Sequence, residues 1–78
     1  MHGGSVTQYI FDCDGVTIGA TAKNATDAVS LAQRAFDSVS DCECFQGANV
    51  PSGTSIIGWN PRKYTVTEAD IKIKAEEP

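Results

Sequence analysis

The sequence reads as an α+β domain: one helix packed on an antiparallel sheet of four to five strands, in the order ββα followed by two or more strands. Three stretches carry that expectation. An Asp-Gly pair sits inside a run of alternating apolar and polar residues at 7–22. An apolar stripe recurs at helical spacing over 25–38, and two further β-prone runs lie beyond residue 54.

Residues 1–5, MHGGS, are Gly-rich and are expected to form a flexible tail, leaving 6–78 as a single domain. The run TQYIFDC-DG-VTIGATA follows. Asp-Gly suits a two-residue type I′ turn, because both central positions need positive φ. With Asp14-Gly15 as that turn, Cys13 faces Val16, Phe11 faces Ile18 and Tyr9 faces Ala20, all apolar and all on one side of the ribbon. Asp12 with Thr17 and Gln8 with Thr21 are polar and point the other way, with Ile10 and Gly19 the exception. A slip of one residue would scramble this segregation, so the register supports itself.

Asn24 is a good N-cap for the next segment, and Asp27 falls in its first turn, where the helix dipole favours an anion. Ala28, Leu31, Ala32, Ala35, Phe36 and Val39 form one apolar stripe, and its alanines permit close approach to a sheet. The helix is expected over about 25–38. A short strand at 42–46 and a loop around 47–54 with Pro51 and Gly53 come next. The run SIIGW reads as a strand, and Asn60-Pro61-Arg62-Lys63 as a turn setting Trp59 against Tyr64 and Ile57 against Val66. Parity then changes, since Tyr64 and Val66 are even whereas Ile71, Ile73 and Ala75 are odd. A bulge or small turn near Glu68-Ala69-Asp70 must absorb the switch. Lys72 and Lys74 would occupy the solvent side of the last strand.

The 78 residues, 41% hydrophobic and 21% charged, fit an ordinary soluble globular chain. No apolar run approaches the ~20 residues that span a bilayer, and a cytoplasmic protein without membrane contact is expected. Net charge is −4, and residues 1–44 hold six acids against two bases while the remainder balances. That distribution argues against direct nucleic-acid binding, where phosphate neutralisation supplies most of the affinity. Three cysteines, an odd number, argue against a secreted disulfide framework.

The words FDCDGV resemble the first motif of the haloacid dehalogenase-like phosphatases. That resemblance implies Asp12 as the nucleophile toward phosphorus, Asp14 as general acid-base, and a magnesium ion. It covers about seven residues, whereas the family needs a parallel doubly wound sheet with further motifs that this length does not accommodate. The flanking residues instead form a self-consistent antiparallel hairpin, so a structural turn is the expected role. His2, in the tail, is the chain's one histidine, which removes the usual general base. Cys42-Glu43-Cys44 lacks the spacing of a zinc knuckle. No catalytic residue, metal ligand or cofactor is therefore assigned, and a minimal metal-dependent enzyme using Asp12 and Asp14 stands as the alternative.

What remains is a small acidic binding module. Its expected partner-facing residues are Asp37, Asp41 and Glu43 at the helix end, where the dipole disfavours negative charge, together with Asp12 and Asp14 at the hairpin. Such carboxylates suit a larger protein or complex with a basic surface. They equally suit a face that is merely solvated. The layout, with a helix opening in TAKNATDAVSLAQRAF, looks like that of small phage-encoded anti-CRISPR proteins. The resemblance spans the order of elements over 7–67. It implies a non-catalytic inhibitor in the host cytoplasm that sits on an effector complex and blocks its nucleic-acid binding. A homo-oligomeric module pairing through strand edges is a further expectation.

Overall fold

The computed structural model describes residues 6–40, 50–58 and 62–76. Strand β1 (Thr7–Cys13) turns into β2 (Val16–Ala22), helix α1 (Ala25–Ser40) follows, and β3 (Thr54–Ile57) and β4 (Ile71–Glu76) complete an antiparallel sheet ordered β3-β2-β1-β4. One helix on a four-stranded antiparallel sheet is the α+β layout the patterning predicts.

The hairpin has the expected register throughout, from Thr7 opposite Ala22 to Cys13 opposite Val16. Asp14 and Gly15 both carry positive φ, 55° and 88°, as a type I′ turn requires. The exceptional pair also has a reason. A Cβ at Gly19 would lie 3.0 Å from Ser55 Oγ and 3.5 Å from Ile10 Cδ1, so the missing side chain makes room for its neighbours.

Asn24 caps α1 through a 2.8 Å bond in which the Asp27 N–H donates to Asn24 Oδ1. Its buried stripe is Ala28, Ala32, Ala35, Phe36 and Val39, and the first four of these share one core cluster with Tyr9, Phe11, Cys13, Val16, Ile18 and Ala20 of the hairpin. Small buried residues on both sides, Ala28, Ala32 and Ala35 of α1 and Ala20 and Ala22 of β2, permit close approach of helix and sheet, and Phe11 and Phe36 are the largest fully buried side chains of the layer.

Beyond β3 the fold departs from expectation. Ile57 does not face Val66: β3 pairs with β2 on one side of the sheet, β4 pairs with β1 on the other, and Ile57 is 72% exposed while Val66 is buried. The two last strands occupy opposite edges, so the chain between them must cross the whole sheet and cannot form a hairpin. That crossing carries Tyr64 and Val66 onto the core instead. Trp59, its expected partnership with Tyr64, and the expected strand at 42–46 lie outside the described residues.

The parity switch falls where the sequence places it. A single 3₁₀ turn over Glu68–Asp70 is closed by the Asp70 carboxylate, which accepts the Thr67 N–H at 2.9 Å. A second switch was not expected. Ile10 pairs with Ile73 but Phe11 pairs with Ile71, so Lys72 is an extra residue bulged out of β4. Ile71 therefore packs on the core whereas Ile73 turns to the open face and is 57% exposed, and the two do not share an interior side.

Candidate partner-binding surface

The topology gathers much of the acid at one end of the molecule. β2 runs away from the Asp14-Gly15 turn and α1 runs back toward it, so the last turns of the helix return to the level of the hairpin tip. Asp12 and Asp14 stand at that tip and Asp37 in the final part of α1, all exposed. Asp70 and Glu68 join them from the 3₁₀ turn, a stretch that by its sequence alone reads only as a connection. The expected partner residues Asp41 and Glu43 lie outside the described residues.

These carboxylates do not share one environment. Asp12 lies 3.9 Å from Lys72 Nζ, with both side chains about half exposed or more, a geometry in which ion pairs contribute little. Asp37 accepts a 3.0 Å bond from Gln33 Nε2. Asp70 is the most engaged, accepting Tyr64 Oη–H at 2.6 Å on one oxygen and the Thr67 N–H on the other. Its capping pattern, Thr67-Glu-Ala-Asp70, is legible in the sequence, but nothing local announces the tyrosine.

Gln33 is the other residue that patterning misses. From mid-helix it donates to the Tyr64 carbonyl at 2.8 Å and accepts the Val66 N–H at 2.8 Å. A shallow cleft lined by Gln33, Asp37, Lys63, Tyr64 and Thr65 lies alongside. Lys63 thus borders the acidic end, which is a mixed surface weighted toward acid.

Two groups here hold their protons tightly. Burial pushes the Cys13 thiol up to about 12, helped by the negative charges of Asp70 and Asp12. The hydrogen bond to Asp70 pushes the Tyr64 phenol up to about 12, with desolvation and the charges of Asp70, Cys13 and Asp14 adding to it. Neither group is an activated nucleophile or base near neutral pH. The phosphatase-like words also lack that family's frame, because β1 is flanked on both sides by antiparallel neighbours. Among the described residues, no group of three or more His, Cys, Asp or Glu side chains could hold a metal ion. No helix among them is long and apolar enough to cross a membrane.

The sheet face opposite α1 carries no helix among the described residues. It shows Ile10, Ile57 and Ile73 among Gln8, Thr17, Thr21, Ser55 and Ala75. Strand spacing and rise give it roughly 300 Å² in plan. Two such faces in contact would stay short of the ~1,200–2,000 Å² that stable association buries.

A scan against protein-family models finds no match for this chain, and neither do searches of curated proteins and of solved structures.

Proposed function

We propose that this chain is a small non-catalytic binding protein that presents its acidic end to a basic protein surface, of the kind that otherwise holds nucleic acid. The observation that carries the reading is the return of α1 to the hairpin tip, which puts Asp37 at the same end as Asp12, Asp14 and Asp70. Carboxylates gathered at one end attract a Lys/Arg surface over a distance, with fast and salt-sensitive association. On this reading the protein acts as an inhibitor in the manner of phage-encoded anti-CRISPR proteins, in the cytoplasm of a host cell, occupying an effector complex in place of its nucleic acid.

The experiment is a pull-down from host lysate at low and high salt, with Asp12→Asn/Asp14→Asn/Asp37→Asn as the comparison. Capture of a nucleic-acid-handling complex at low salt, competed by added duplex and lost in the triple variant, is the expected result. Capture that the variant leaves unchanged would remove the acidic end from the account.

A second reading, self-association, is favoured by the β3 edge. The residues TSII carry no charge, and Ile57 at their end is largely exposed. Light scattering over a concentration series decides it: a mass fixed at that of one chain excludes it.

A further inference from the structure

Residues 62–70 belong to the connection between the two edge strands, run outside any strand and end in the single 3₁₀ turn. Such a connection must find partners for its backbone polar groups elsewhere. Two of them meet one side chain. The Gln33 amide donates to the Tyr64 carbonyl and accepts the Val66 N–H, bonding on either side of Thr65 as one residue of a neighbouring strand would. Asp37 fixes which way that amide points, because Nε2 donates to its carboxylate as well and a flipped amide would set oxygen against oxygen. Beneath this latch Tyr64 lies against Phe36 with ring centroids 5.6 Å apart, and Val66 is buried. Tyr64 is tied in turn to Asp70.

The same region shares its core with Cys13, which is fully buried on the helix side of β1 in the apolar cluster that contains Val66 and against which Tyr64 and Ile71 pack. Asp70 and Tyr64 are both close enough to interact electrostatically with the thiol. The bulge at Lys72 marks a natural hinge: Ile71 can leave Phe11 while Ile73–Glu76 keep their pairing with β1. On the other side of the boundary, β1, β2 and α1 hold each other through the full hairpin ladder and the alanine-rich layer.

We propose that residues 62–71 form a strap that opens as one unit, latched to α1 by Gln33, and that its release uncovers Cys13 while β1, β2 and α1 remain folded. This is a sub-global opening with a defined latch and a defined hinge. It is independent of what the acidic end binds, and it makes the two layers at that end separable without unfolding the domain.

The test uses the whole chain and iodoacetamide, with peptide mass spectrometry separating Cys13 from Cys42 and Cys44. Labelling of Cys13 is followed through a urea series below the global transition, which is monitored by helical circular dichroism. A strap predicts labelling of Cys13 with a much shallower urea dependence than global unfolding, because less surface is exposed. Gln33→Ala should then raise the Cys13 labelling rate by about ten- to a hundredfold, the loss of the two hydrogen bonds to the strap, by more than its effect on global stability accounts for. Tyr64→Phe removes a bond that lies within the strap, between Tyr64 and Asp70, and should leave the labelling rate close to that of the parent chain. Labelling that follows the global urea slope, with Gln33→Ala acting only in proportion to global stability, or a Tyr64→Phe variant that speeds labelling as much as Gln33→Ala, would overturn the strap.

Discussion

The two halves of this domain are built on different principles. Residues 7–40 are held by local rules: a turn that needs Asp-Gly, a register that only one alternation satisfies, a capped helix and an apolar stripe of fixed period. Residues 50–58 and 62–76 are held by what they find on arrival. β3 takes the open edge of β2, β4 takes that of β1, and the chain between them rests on Gln33 and Asp70. The lesson is that a small domain can have a body whose structure is dictated within its own segments and a second part that is specified only by the body. Damage should spread differently from the two.

The largest effect should come from the body. Phe11 is fully buried at the centre of the sheet, and Phe11→Ala should cost about 3–5 kcal/mol, transfer and cavity together. In a chain this short that is a large share of total stability, and urea titration should show either a strongly lowered midpoint or no cooperative transition. Val66→Ala, at the equivalent depth in the strap, should cost roughly 2 kcal/mol or less, because fewer methyl groups are lost and the segment can settle into the gap. If both variants lost the same stability, the distinction between the two halves would fail.

Alkaline pH sharpens the comparison further. The Cys13 and Tyr64 protons are both held more tightly in the folded protein, with values moved from 9.0 and 10.0 to about 12. Groups raised on folding contribute stability that is fully present below their unfolded values and is lost as pH rises through the folded ones. Stability should therefore be insensitive to these two groups up to about pH 9 and fall progressively toward pH 12. Tyr64→Phe should make that fall shallower by removing one of the two titrations, and melting curves across this range measure it. An unchanged slope would mean that Tyr64 does not hold its proton against Asp70.

Legibility in the sequence follows the same division. The hairpin register, the turn and the start of α1 can be read directly because each is encoded within a few residues, and α1 runs only slightly beyond its expected end. The switch at Glu68–Asp70 is legible too, since Thr67 and Asp70 stand at capping spacing. The strand order is not. Ile57 and Val66 look like partners by parity, yet which edge each strand takes depends on the finished hairpin between them. The bulge at Lys72 escapes for a similar reason: IKIKAE alternates without a fault, and only the pairing with β1 shows where the phase breaks. For the acidic end, the types of residue are legible, but their convergence rests on the direction in which α1 returns. Gln33 gives no local sign, because a polar residue on a helix is unremarkable until an extended segment lies across it.

A smaller effect belongs to the helix start. Asn24→Ala should cost about 1 kcal/mol by leaving the Asp27 N–H without its cap. The cap is part of the body, so this loss should appear in global unfolding and leave the excess reactivity of Cys13 over global unfolding unchanged. A cap variant that specifically exposed Cys13 would move the boundary between the halves into α1.

The smallest effect on stability should come from the Asp12–Lys72 pair. At 3.9 Å and with both side chains well exposed, its Coulomb attraction is weakened by solvent and by the ordering of two flexible groups. Lys72→Thr should therefore change the unfolding midpoint by less than about 0.5 kcal/mol in equivalent free energy. What Lys72 and Lys74 do supply is charge along β4, on an edge whose Ile73 is exposed, whereas β3 has no charged residue at all. Charged side chains and a bulge are both devices that discourage a further strand from adding to an edge. Removing the lysine should leave stability alone and increase self-association, read by light scattering on the same sample. A variant that lost stability without associating would show instead that the bulged lysine anchors β4, and that the second half of the domain has a tether of its own.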